Sequence, residues 1–158
     1  MLAIRTVLAA AMLVPASAFA QPTGLVGSWT LVSSVIELGG QKIEPFGPSP
    51  KGALTFDANG RYVAMIARPG LPKLATDNRL AATPEEAKAI VGGSIAHFGR
   101  YTADDKIITF RIETSTHPNW DSVEQKRTYT ISGDELTYSV ASAAVGGGSA
   151  TLVWRRAR

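Results

Sequence analysis

The chain has 158 residues, a formal net charge of +3 at pH 7, 45% apolar side chains and no cysteine. The lack of cysteine excludes disulfides and thiolate chemistry. The weak, dispersed positive charge excludes a nucleic-acid interface, which needs a basic stripe with interleaved aromatics; the densest basic group, Arg155, Arg156 and Arg158, reads as a solvated tail.

Residues 1–20, MLAIRTVLAAAMLVPASAFA, put Arg5 before an apolar run from Val7 to Val14 and end in Ala18-Phe19-Ala20. That order is the pattern of a secretory signal peptide, with cleavage expected after Ala20. The apolar run is too short for a spanning helix, which needs about 20 apolar residues. It therefore does not read as a retained membrane anchor, and with no cysteine after it there is no lipid attachment site. The mature chain, residues 21–158, is expected to be periplasmic or secreted, with no stable membrane insertion. Its length predicts one domain, able to bury about two thirds of its unfolded surface without disulfides.

The mature sequence reads as short strands between turn signals, the pattern of a sandwich or barrel. Ser28 to Leu38 is β-rich, and Gly52 to Asp57 alternates with Leu54 and Phe56 on one face. Asn59-Gly60 favours positive φ at both central turn positions and predicts a hairpin into Arg61 to Ala67. Both faces of that return strand are apolar, so periodicity assigns neither inward. A long loop with two prolines, Arg68 to Ala82, comes next. Thr83-Pro84-Glu85-Glu86 then has the form of a capping box with proline at the first helical position. Ala87, Ile90, Val91, Ser94 and Phe98 continue at helical spacing, predicting a helix over about 84–98 across one open end. Gly92-Gly93 weakens its middle. Strands are expected again at Arg100 to Asp104, Lys106 to Glu113, Val123 to Ile131, Glu135 to Ala141 and Ala150 to Arg155. About eight strands result by this pattern. Eight antiparallel strands can close into a barrel whose interior is filled or holds one small ligand.

The function then depends on what lines the inside. From Ser122 to Thr130, one face carries Ser122, Glu124, Lys126, Thr128 and Thr130 and belongs outside. The opposite face, Val123, Gln125, Arg127, Tyr129 and Ile131, must then point inward. A guanidinium facing a barrel interior is costly unless paired or wet. Its planar fork suits a carboxylate or another oxyanion. Gln125 and Arg127 are thus candidates to orient the polar end of a ligand, against the alternatives of an internal carboxylate partner or a place in water at the mouth. The same alternation turns Phe56, Phe110, Ile108, Ile112, Leu136, Tyr138, Val140, Leu152 and Trp154 inward, mostly as core.

His117, in Thr116-His117-Pro118-Asn119-Trp120-Asp121, precedes the Arg127 strand. Histidine titrates in the range acid–base catalysis uses, but no partner is fixed, and a loop residue packed on Trp120 is the simpler reading. His97 falls near the end of the expected helix, where a cationic imidazole suits the helix dipole. Two histidines without cysteine make no metal-ligand pattern. There is no G-x-S-x-G nucleophile elbow. Gly146-Gly147-Gly148 lies between two strands and is no phosphate loop, and Glu85-Glu86 is a helix start. No metal or cofactor is expected.

Several stretches, in order along nearly the whole mature chain, resemble the bacterial lipocalin-like domain family. They are Leu25-Val26-Gly27-Ser28-Trp29, Pro45-Phe46-Gly47-Pro48-Ser49-Pro50, Asp57-Ala58-Asn59-Gly60-Arg61, Arg68-Pro69-Gly70, Thr83-Pro84-Glu85-Glu86, Phe98-Gly99 with Tyr101, Pro118-Asn119-Trp120 and Leu152-Val153-Trp154. The resemblance implies an all-β fold, a closed antiparallel barrel with an apolar cavity and one inserted helix. It implies that Trp29 of Gly27-Ser28-Trp29 plugs the closed end, covered by Arg155 or Arg156 as a cation–π contact. The inserted helix and the lack of cysteine depart from secreted lipocalins.

Three functions fit this reading. The first is an exported carrier of a small hydrophobic molecule, with an acid group met by Arg127 and Gln125 and a site drawn from Tyr129, Phe56, Phe110, Trp120 and His117. The second is a cofactor-independent cyclase, isomerase or dehydratase using His117, Tyr101 or Tyr129 with Arg127; it requires those groups to converge on one void. The third is a protein-interaction module with a filled barrel, using the loops 41–51 and 68–82.

Overall fold

The structure, a computed structural model, describes residues 24–144 and 146–158. The expected leader and its cleavage point lie outside the described residues. The strands are β1 (Gly27–Leu38), β2 (Gln41–Ile43), β3 (Lys51–Phe56), β4 (Arg61–Ala67), β5 (Ser94–Ala103), β6 (Ile107–Ser115), β7 (Glu124–Ser132), β8 (Glu135–Val140) and β9 (Ser149–Arg156), with helix α1 (Pro84–Gly93) between β4 and β5. Apart from β2, each strand pairs antiparallel with the next around the sheet, and β9 returns to β1. Eight strands thus close a barrel. The extra strand, β2, is a flap on the far half of β1, turned by Gly39 and Gly40 at φ 57° and 79°. Its three residues are all exposed, so no alternation marked it; the glycine pair was its one sequence signal.

Alternation governs the core. Leu54, Phe56, Ile108, Phe110, Ile112, Leu136, Tyr138, Leu152 and Trp154 are all buried in one cluster, as expected. β4, ambiguous in sequence, turns Tyr62, Ala64 and Ile66 inward and leaves Val63 and Met65 outside, 59% and 54% exposed. In β1 the register slips between Leu31 and Ser33. One extra residue exchanges the faces: Trp29 and Leu31 point inward before the bulge, Ser34 and Ile36 after it.

Helix α1 is shorter than the spacing predicts. Its capping box forms as expected, with Glu86 N donating to Thr83 Oγ1 at 3.2 Å and Thr83 N to Glu86 Oε2 at 2.8 Å. The helix ends at Gly93, and the chain becomes strand at Ser94 rather than Arg100. From Ser94 onward, pairing with β4 runs from Ala67↔Ser94 to Arg61↔Arg100. Burying His97 and Tyr101 on an inward face outweighs the helical spacing, and Val91 and Phe98 stay exposed. Gly99, at a register shift, sits so close to β6 that a Cβ there would collide with the Arg111 carbonyl. His97 is therefore a strand residue aimed inward, not a helix-end cation.

One end of the barrel is closed. The Trp29 indole is buried and donates from Nε1 to the Leu25 carbonyl at 3.0 Å. Arg156, not Arg155, covers it: Cζ lies 4.2 Å from the ring centroid, while Nη1 and Nη2 donate to the carbonyls of Val26 and Gly24 at 3.1 and 2.7 Å. The alternation that buries Leu152 and Trp154 puts Arg156 on the inner side and leaves Arg155 exposed. Gly27, at φ 130°, leaves room for the guanidinium, since a Cβ there would lie 2.9 Å from Nη1. The hairpin turns after β3, β5 and β7 gather at this end. Tyr101 and Tyr129 are tied to two of them by hydroxyl bonds to the carbonyls of Asp57 and Asp104, at 2.8 and 2.7 Å.

Arg156→Ala removes a cation–π contact and two carbonyl partners. It should cost about 1–3 kcal/mol in urea unfolding, while Arg155→Ala should stay within about 0.5 kcal/mol. Equal effects would reject this assignment of the plug.

Candidate functional site

The half of the barrel above Trp29 is filled by Leu54, Phe56, Tyr101, Ile108, Leu136 and Trp154. The other half holds a cavity of about 70 Å³, several times the roughly 10–15 Å³ that one water needs. Its polar wall is Arg127, Tyr138, His97 and Ser34; Ile36, Ile66, Ala150 and Leu152 supply much of the rest, and Pro45, Phe46, Trp120, Ala143 and Ala144 stand at the mouth.

Arg127 is at the centre. It is 3% exposed, and no Asp or Glu among the described residues is buried. Nη2 donates to Gln125 Oε1 at 2.8 Å, two residues along β7. Nε is buried with no partner among the described residues. The guanidinium carbon lies 4.4 Å from the Phe110 centroid and 4.9 Å from that of Tyr138. The rings offer cation–π attraction, and Gln125 offers a neutral acceptor. Neither supplies a negative charge. An unpaired buried charge carries a desolvation penalty of several kcal/mol, and no carboxylate among the described residues lines the cavity to offset it.

His97 stands across the cavity on β5. Burial, with the Arg127 charge adding to it, pulls its pKa down to about 3, so the imidazole is neutral. Its Nδ1 is 2.9 Å from the Tyr62 hydroxyl, which leaves Nε2 as its remaining polar atom. Burial pushes the Tyr62 and Tyr138 hydroxyls upward, against the pull of Arg127. The Trp120 ring, at the mouth, is 5.6 Å from His97 and 5.4 Å from His117, edge-on to both.

Of the residues singled out in the sequence, Arg127 and Trp120 line the cavity. Phe110 supports the guanidinium from below, and Gln125 holds it without forming part of the wall. Phe56 packs in the filled half, 4.6 Å from Tyr101. Tyr129 and Tyr101 are at the closed end, the latter pushed up to about 12 by burial and the nearby Asp57. His117 packs on Trp120 outside the cavity wall. The convergence that the catalytic reading requires, of His117, Tyr101 or Tyr129 with Arg127 on one void, is therefore not found. Period two fixes which way Tyr101 points but not its height along the barrel; Tyr129 lies two residues beyond Arg127 on β7, and its hydroxyl is held by the Asp104 carbonyl at the closed end. His97, Tyr62 and Ser34 were missed. Counting back by twos from Tyr101 would have found His97, whereas Ser34 depends on the β1 bulge.

Two outcomes follow. Arg127→Met should stabilise the ligand-free protein by about 1–4 kcal/mol, since a buried charge is exchanged for a side chain of similar length; a large loss in urea unfolding would reveal a counter-charge. His97 has its folded pKa below the ordinary 6.5, so its contribution is whole above about pH 6.5 and is lost as pH falls toward about 3. The slope approaches about 1.4 kcal/mol per pH unit. Urea midpoints between about pH 7 and about pH 4 should fall less steeply in His97→Gln than in wild type.

Comparison with known proteins extends this geometry. A family model described as a lipocalin-like domain matches residues 26–157. The 4'-hydroxy-3'-methoxypropiophenone carrier protein ppsC of Aspergillus oryzae is 31% identical over 104 residues, covering 59% of this chain and 94% of that protein. A crystal structure of a mutant of the fluorescent protein UnaG aligns over 84% of this chain and 95% of its own, at 14% identity and a TM-score of 0.37. With its match running from the start of the Trp29 plug to the end of the closing strand, the chain belongs to the lipocalin-like domain family.

Proposed function

We propose that this protein is an exported carrier that holds a small hydrophobic molecule in the open half of its barrel, with the molecule's polar oxygen on Arg127. The observation that carries this reading is the buried guanidinium, lining a cavity and lacking a carboxylate partner among the described residues. An apolar cavity with few placed polar groups is the usual form of a small-molecule site. The fungal relative, named as a carrier of an aryl ketone, supports both the carrier role and a ligand with a ring and an oxygen acceptor. The cavity admits one ring-sized portion, and the loops around Phe46 and Trp120 frame the rest. Export rests on the leader-like residues 1–20. The catalytic reading loses support because its candidate groups do not share the cavity, and a neutral His97 already bonded through Nδ1 is a weak base.

The test is mass spectrometry of protein purified from the exported fraction, native and then denatured with solvent extraction. The expected result is one small molecule per chain bearing a carboxyl, phenol or carbonyl oxygen, and a polypeptide beginning at Gln21. Adding that molecule back should alter Trp120 fluorescence, and Arg127→Met should weaken binding about tenfold or more, the worth of a charge-assisted hydrogen bond. An empty barrel whose fluorescence no small aromatic changes would overturn the carrier. A chain retaining Met1 would overturn export alone.

A further inference from the structure

The charge inside the barrel points to the ionisation state of the ligand, given that the cavity is a ligand site as proposed above. We propose that the cavity selects weak aromatic acids as their conjugate bases: a phenolate or carboxylate oxygen docks on Arg127, and binding releases the acid's proton to solvent.

Arg127 is the one buried group with a permanent charge among the described residues, and the carboxylates are all outside or partly outside the core. Every ion pair found among the described residues is a surface pair that leaves Arg127 out. A neutral ligand carbonyl can accept from the guanidinium but leaves its charge uncompensated. An anion accepts and compensates it, and charge-assisted bonds are about twice as strong as neutral ones.

The protein does not neutralise Arg127 from within. The titratable groups facing it are Tyr62 from β4, His97 from β5 and Tyr138 from β8. Tyr62 and Tyr138 are the possible internal anions, and burial holds both phenols protonated in spite of the nearby cation. His97 is held neutral, partly by repulsion from Arg127. The cavity therefore keeps a net positive field with no mobile proton of its own to answer it. A bound weak acid is the group that yields.

The walls favour an aromatic acid. Phe46, His97, Trp120 and Tyr138 are all part of the lining, His97 edge-on to Trp120 at 5.6 Å, so ring surfaces border the space beside the guanidinium. Such rings stack well on another aromatic.

The probe is 4-nitrophenol, whose phenolate absorbs visible light and whose phenol does not, with its neutral methyl ether 4-nitroanisole as control. Absorbance titration with excess protein should show the probe's pKa lowered by about one unit or more, within the range an adjacent arginine produces. That shift corresponds to about tenfold tighter binding of the phenolate than of the phenol. Arg127→Met should abolish the shift, whereas the wild type should bind 4-nitroanisole as well, read by tryptophan fluorescence. The wild-type titration decides the matter by itself should the variant fold poorly. Bound 4-nitrophenol with an unchanged or raised pKa, or a shift that persists in Arg127→Met, overturns anion selection and leaves small-molecule binding standing. Failure of both probes to bind overturns the two readings together.

Discussion

The pairing of β9 with β1 is the constraint on which the rest of this structure depends. It turns a meander into a closed barrel and so gives every strand an inside and an outside. Closure also brings the C-terminal strand beside the N-terminal one, which sets Arg156 over Trp29. β1 serves two neighbours along its length, β3 and then the β2 flap, while staying on β9 throughout. The bulge between Leu31 and Ser33 lets it bend to do so. It also brings Ser34 and Ile36 to the inner face, where they become cavity wall.

The closed barrel is divided in two. Large side chains pack the half above Trp29, and the hairpin turns there are secured by the hydroxyls of Tyr101 and Tyr129. Small or branched residues line the other half, among them Ala150, Ile36, Ile66 and Val140, and the difference in volume leaves the cavity. Phe110 marks the boundary, touching Phe56 on the packed side and carrying Arg127 on the hollow side. A packed floor beneath a cavity fits small-molecule binding better than an entirely filled core. It holds the guanidinium in place by ring contacts and by Gln125.

The titratable groups around that space share one electrostatic logic. Desolvation keeps His97, Tyr62 and Tyr138 in their neutral forms, and arginine is the side chain that desolvation does not readily discharge. The interior therefore carries a fixed positive charge with no buried carboxylate beside it among the described residues.

By itself the sequence revealed the family, and with it the barrel, through motifs such as Gly27-Ser28-Trp29, and it determined the inward placement of Arg127 because the alternation over 122–131 is local and legible without any partner strand. It determined the capping box at Thr83 for the same reason. It could not say where α1 ends, because helical spacing and strand alternation overlap between Ser94 and Phe98, and the pairing with β4 decides between them. Neither could it choose a face for Val63 and Met65 against Tyr62, Ala64 and Ile66, since both are apolar and only the closed sheet has an interior. The union of His97 with Tyr62 and the height of Tyr101 relative to Arg127 were likewise tertiary decisions, whereas Arg156 over Arg155 was open to the alternation with Leu152 and Trp154. Period two gives the direction of a side chain. Its height in the barrel comes from strand register, and register is set by partners far away in the chain.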